Sequence, residues 1–266
     1  MKILITGGAS GLGRVLAMDL ARKRNDVALF DLNAELLAET CRNCQELGSN
    51  ALPVVGDVTK PEDCKRFVET AAERFGAIDA LIANAGISMW AKFEDVKDLS
   101  VFPKLMQVNY LGVVYNTYYA LPYIKQSRGM IVAISSIQGK IGVPYHTGYV
   151  ASKHAVQGFF NALRTELKGT GVDILLVLPH WLTGTRLREH AYGKDGAALG
   201  KTRSRHSRES VTVEACSEAI IRAMGKRQRE LVIPPKLKAL PWLSLISPRL
   251  VEYIVTRKVD EQSGEA

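Results

Sequence analysis

The chain has 266 residues, a formal charge of +8, 47% hydrophobic and 23% charged residues, and four cysteines. This balance excludes a largely disordered protein, and the length suits one large α/β domain as well as two small ones. Met1 and Lys2 lead straight into an apolar run without an export signal, and no stretch nears the roughly 18 apolar residues of a membrane span, so the expectation is a cytoplasmic protein.

Short apolar runs alternate with amphipathic stretches from the start: KILIT then GLGRVLAMDLARKR, DVALFDL then AELLAETCRNCQEL, ALPVVGDV then PEDCKRFVETAAERF, and IDALIANAG. Runs rich in Val, Ile and Leu between helical periodicities indicate βαβ units with a parallel sheet covered on both faces. A long helix is predicted over about 101–126, followed by strand MIVAISS, a helix beginning near Tyr149, and strand VDILLVL. After Pro179 the pattern weakens into a loop rich in Gly, Ser and Arg over about 187–210, a helix near Glu214 to Met224, and strand ELVI. The predicted fold is a single doubly wound Rossmann-type domain of about seven strands, residues 1–236, with an amphipathic C-terminal extension over 237–266.

Cys41 and Cys44 form a CxxC, but inside a helical pattern and without a second pair or nearby histidines, so they are expected to be ordinary helix positions and no metal is assigned. The basic segments Gly193 to Ser210 and Ile221 to Leu231 lack a nucleic-acid motif or interleaved aromatics. They are expected to be solvated surface, with no nucleic-acid partner.

The turn TGGASGLG, Thr6 to Gly13, joins the first strand to the first helix. Gly7, Gly11 and Gly13 together allow a tight turn and close approach of a pyrophosphate to the positive end of the helix. Asp31 ends the second strand about eighteen residues later, where a carboxylate accepts hydrogen bonds from a ribose and repels the extra phosphate of NADP. Arg14 and Lys23 lie on the first helix rather than at that strand end. Asp57 follows the third strand, where it meets an adenine edge or simply starts a helix; Asn84, Ala85 and Gly86 follow the fourth. Ser10, Leu12, Leu32 and Val58 complete the predicted dinucleotide site.

Tyr149 and Lys153 are four apart at the start of a helix, so they share one face. Ser135 and Ser136 end a strand thirteen or fourteen positions earlier. The ordered set TGxxxGxG, NAG, Ser and YxxxK resembles the short-chain dehydrogenase/reductase family over essentially residues 1 to 233. The wording SSIQGKIGVPYHTGYVASKHAVQGFF is similar to the branch of 11-beta-hydroxysteroid dehydrogenase type 1 and its membrane-associated relatives.

The resemblance implies an NAD-dependent oxidoreductase for alcohols and ketones. Tyr149 is then the acid/base, and Lys153 holds the nicotinamide ribose and lowers the phenol's pKa. Ser136, preferred over Ser135 by its spacing, bonds the reacting oxygen. Asn109 kinks the long helix and holds a proton-relaying water. The family's Pro-Gly after the sixth strand is Pro179-His180 here, which leaves the nicotinamide-binding threonine open between Thr183 and Thr185, with Leu182 offering backbone contacts.

Met89, Trp90, Tyr145, His146, Trp181 and Leu187 predict a mostly apolar substrate pocket suited to a hydrophobic alcohol or ketone, hydroxysteroids included. The 187–210 loop is expected to close over it, and an NAD-type site leans toward alcohol oxidation. The proline-broken C-terminus is expected to pack against another subunit in a homodimer or homotetramer, with peripheral membrane contact as the alternative. A catalytically idle NAD(P)-binding regulator is the alternative function.

Overall fold

Seven parallel strands form one sheet in the order β3-β2-β1-β4-β5-β6-β9: β1 (Lys2–Thr6), β2 (Asp26–Asp31), β3 (Ala51–Val55), β4 (Ala80–Ala83), β5 (Met130–Ile134), β6 (Asp173–Pro179) and β9 (Glu230–Ile233). A further short pair, β7 (Leu182–Thr183) and β8 (Val211–Thr212), stands apart from it. The computed structural model describes residues 1–200 and 210–263, with side chains up to 259, so positions 201–209 of the predicted lid lie outside the described residues.

Central strands such as β1, β4 and β5 are apolar on both faces because helices cover both. One layer, α1 (Gly11–Arg22), α2 (Ala34–Glu46) and α7 (Val213–Gly225), buries Leu16, Leu37 and Ile220. The other, α3 (Pro61–Phe75), α5 (Gly112–Ser127) and α6 (Thr147–Glu166), buries Phe67, Ile124 and Phe160. The chain runs outward from β1 to β3 and then returns to β4 on the other side of β1. That reversal opens a crevice at the carboxyl ends of β1 and β4, which is where doubly wound sheets hold ligands.

The expected helix over 101–126 is interrupted. It consists of α4 (Val101–Met106), a π-helical turn at Gln107–Leu111, and α5. The interruption falls at Asn109, where the family resemblance implies a kink. Asn109 is a fully buried amide: its Oδ1 accepts from Ile87 N at 2.8 Å, and its Nδ2 donates to Ile87 O and to Ser152 Oγ, each at 2.9 Å. The wider turn accompanies this inward-facing Asn109, as π turns often do at functional sites.

The C-terminal prolines start helices instead of breaking them. Pro241 lies in the first turn of α8 (Leu240–Ile246) and Pro248 opens α9 (Pro248–Ser263), positions where the missing N–H costs nothing. Val251, Val255 and Val259, one helical turn apart, bury against Ile141, with Trp90, Val143 and Tyr145 packed around them. Among the described residues, no helix is long and apolar enough to cross a membrane.

Candidate active site

The glycine turn is built at contact distance. Gly7 has φ +69°, and a Cβ on Gly13 would fall 2.0 Å from Gly7 O, so neither position tolerates a side chain. Asn84 fixes the turn from β4: its Nδ2 donates to Thr6 O at 3.0 Å and Gly7 O at 3.2 Å. Thr6 Oγ1 accepts from Asn84 N and Ala85 N, both at 3.0 Å. Sequence reasoning missed this role for Thr6, although a buried threonine ending β1 opposite an Asn-Ala-Gly run is the signal that reveals it.

Asp31 is equally fixed. Its Oδ2 accepts from Ala9 N at 3.0 Å and its Oδ1 from Asn33 N at 3.1 Å. Asp57 Oδ1 accepts from Thr59 N at 2.8 Å. Gly7, Ser10, Gly11, Leu12, Asp31, Leu32, Asp57, Val58, Asn84, Ala85 and Gly86 all line one cavity of about 570 Å³, and Gly13 lies beneath the turn.

Ser136, Tyr149 and Lys153 line the same cavity. Ser136 Oγ donates to Pro179 O at 3.4 Å and accepts from Gln138 N at 3.2 Å, and Lys153 Nζ lies 5.6 Å from the Tyr149 ring centroid while donating to Ile134 O at 3.0 Å. Ser135 serves a different purpose: its Oγ donates to Lys153 O at 3.3 Å, which ties β5 to α6. Gln157, which the sequence did not single out, supports this corner by donating to Ser136 O at 3.3 Å. Burial pushes the Tyr149 phenol up to about 12, against the lowering effect of the Ser136 side chain, and pulls the Lys153 ammonium down to about 8. Desolvation therefore dominates at both groups.

Two independent likenesses bear on this arrangement. The profile of the short chain dehydrogenase family matches residues 1–195. The chain belongs to the short-chain dehydrogenase family. It is therefore an oxidoreductase of that family, and its relatives place it in the hydroxysteroid dehydrogenase-like branch. It is 34% identical over 257 residues to 11-beta-hydroxysteroid dehydrogenase-like 6 of Arabidopsis thaliana, covering 95% of this chain and 75% of that protein. It is 32% identical to 11-beta-hydroxysteroid dehydrogenase A of Sesamum indicum, covering 95% and 73%. An alcohol dehydrogenase from Thermococcus sibiricus, solved with 5-hydroxy-NADP, superposes with a TM-score of 0.73 at 25% identity, covering 87% of this chain and 94% of that one. A short chain dehydrogenase from Burkholderia phymatum, solved with NAD, shares the fold with a TM-score of 0.79 at 22% identity and 94% coverage of both chains.

In this short-chain dehydrogenase the far end of the cavity is aromatic. His146 lies 4.8 Å from Trp90, 5.6 Å from Trp181 and 6.3 Å from Tyr149, ring centre to ring centre. Burial pulls the His146 imidazole down to about 4, assisted by the charge of Arg188 and opposed by its bond to Pro144 O, so it is neutral at ordinary pH. Leu182 and Thr185 line the cavity, whereas Thr183 sits on β7 opposite Thr212 and does not. The cysteine pair faces the core: burial pushes Cys41 up to about 12 and Cys44 up to about 11, so neither is a thiolate.

Proposed function

We propose that the chain is an NAD(H)-dependent oxidoreductase interconverting a hydrophobic secondary alcohol, hydroxysteroids included, and its ketone, with Tyr149 as the acid/base. The observation that carries this reading is Tyr149 beside the buried Lys153, with Ser136 in the same cavity that the glycine turn and Asp31 also line. The cofactor residues fit a dinucleotide: the turn leaves no space for a Cβ at Gly13, and Asp31 stands at the strand end as a fixed acceptor. The nicotinamide, when bound, takes or gives the hydride.

The chain's own groups handle the proton. Ser136 and Tyr149 donate hydrogen bonds to the carbonyl oxygen of a ketone, and the phenol then releases its proton to that oxygen as the carbon receives hydride. In the oxidative direction the phenolate takes the proton of the alcohol O–H while the C–H bond gives up its electron pair with the hydrogen. Lys153 stabilises the phenolate by its charge, and the Asn109 turn keeps the backbone of Ile87 in place beside it. A screen of secondary alcohols followed by NADH absorbance tests this; absence of any Tyr149-dependent turnover overturns it.

NAD preference is supported by two fixed charges. The Asp31 carboxylate at the end of β2 would repel a 2′-phosphate, and Arg14, a cation of the first helix, is already bonded to Glu39 at 2.8 Å. The double substitution Asp31→Ser with Glu39→Gln removes the repulsion and releases Arg14. It is expected to shift the NAD-to-NADP ratio of kcat/KM by about 100-fold toward NADP, a change of about 3 kcal/mol. A wild-type preference for NADP defeats the assignment.

We also propose that a second copy covers the exposed apolar face of α8, where Trp242, Leu245 and Ile246 are 71%, 77% and 82% exposed, giving a homodimer or homotetramer. Substituting Trp242→Ser and Ile246→Ser leaves the buried valines of α9 intact and is expected to dissociate the assembly in sedimentation. Retained assembly with lost binding to lipid vesicles identifies the face as a peripheral membrane contact instead.

A further inference from the structure

We propose that Arg188 recognises a carboxylate on the substrate, so that the preferred alcohol or ketone is a hydrophobic acid. The inference rests on reading the cavity as an oxidoreductase site. Arg188 lines that cavity together with Tyr149. Its guanidinium carbon is 4.1 Å from the Trp90 ring centre and 5.8 Å from that of Trp181, and its charge is felt at buried His146.

A cation in such a place normally has a counter-ion. Among the described residues no ion pair joins Arg188 to a carboxylate, and Glu189, which also lines the cavity, is not within pairing distance. Arg188 Nε is buried without a hydrogen-bond partner. The neighbouring His146 is held neutral, so it neither competes for an anion nor repels the guanidinium.

An indole face attracts a cation without consuming its N–H donors. A guanidinium held over Trp90 therefore keeps its planar fork available, and a carboxylate matches that fork with two parallel hydrogen bonds. Aromatic walls exclude water and strengthen such a pair. The lining sets the character of the ligand. Tyr149 contacts His146, His146 contacts Trp90, and Arg188 sits over Trp90, so the acid/base and the guanidinium share one aromatic-lined cavity. A mid-chain hydroxy fatty acid and a hydroxysteroid with a side-chain carboxylate each carry the apolar body and the anion that such a cavity takes.

The test compares each of those two acids with its methyl ester. The wild-type acid-to-ester ratio of kcat/KM is expected to be about 10- to 100-fold, carried mainly by KM, as a charged hydrogen-bonded pair provides. In Arg188→Gln the ratio falls to about one. In Arg188→Lys, which keeps the charge without the fork, it is intermediate. A ratio that is the same in wild type and Arg188→Gln overturns the proposal.

A second measurement is independent of turnover. In the protein carrying Tyr149→Phe and Trp242→Phe, the remaining tryptophans, Trp90 and Trp181, both line the cavity. Their fluorescence is expected to respond to the acids at concentrations about tenfold below those needed with the esters, and equal titrations overturn the proposal. Selective binding without turnover of any alcohol by the wild type leaves Arg188 as a carboxylate site and removes the oxidoreductase reading. Turnover without selectivity does the reverse.

Discussion

Tyr149→Phe is expected to lower kcat/KM for any secondary alcohol substrate by about 10²- to 10⁴-fold, the range contributed by a positioned acid/base. The ring stays: it packs in a small cluster with Met89, Ala91, Val101 and Leu105, and phenylalanine keeps those contacts. What goes is the phenol hydroxyl alone, so the variant is expected to melt near the wild type. The phenol's position near 12 gives the pH dependence a sign. Near neutrality it is protonated, ready to act as the acid of ketone reduction, and reduction is expected to vary little with pH there. Oxidation needs the phenolate and is expected to rise about tenfold per pH unit from neutrality to about pH 8, above which Lys153 loses the charge that stabilises the phenolate and the rise flattens. Steady-state rates in both directions across pH 6–9, beside thermal melts, check this. A phenylalanine variant within tenfold of wild type removes Tyr149 from the chemistry and favours the idle, regulatory alternative.

Lys153→Met is expected to abolish turnover to a similar degree and yet stabilise the ligand-free protein. Lys153 is 4% exposed, and burial brings its folded-state pKa down from 10.5 to about 8. A depressed lysine means the unfolded chain binds the proton more tightly, so stability rises with pH between about 8 and 10.5, and below pH 8 the charged form carries the full penalty. A shift of that size corresponds to about 3 kcal/mol. The bond from Nζ to Ile134 O and the attraction of the Tyr149 ring offset part of it when the ammonium is removed. A net gain of about 2 kcal/mol at pH 7 is expected, roughly 4–8 °C in Tm. The difference between wild type and variant should vanish above about pH 10.5. A methionine variant that is less stable at pH 7 would show that surrounding dipoles already compensate the charge.

Much of this arrangement is legible in the amino-acid sequence. The parallel sheet follows from continuous apolar runs such as ILI and ALIA, because strands covered on both faces have no polar side to show. The glycine turn and the Tyr149–Lys153 face follow from local spacing, which a helix or a βα turn converts directly into geometry. The kink at Asn109 is implied by the family resemblance, but its form as a π turn at Gln107–Leu111 is not local: it accompanies the bonding of Asn109 to Ile87 and Ser152, residues 22 and 43 positions away. The separate tasks of Ser135 and Ser136 depend likewise on distant partners: Ser135 Oγ donates to Lys153 O, whereas Ser136 Oγ donates to Pro179 O. Arg188 was hidden among the many basic residues of its region, since only the fold places that one over Trp90. The C-terminal prolines read as interruptions because proline at a helix start and proline within a helix look alike in a sequence.

The valine ridge of α9 backs onto Ile141 and the residues that flank the aromatic end of the cavity. A substitution that loosens this ridge consequently loosens the wall behind Trp90 and Tyr145, so the selectivity of the cavity depends on a helix outside its lining.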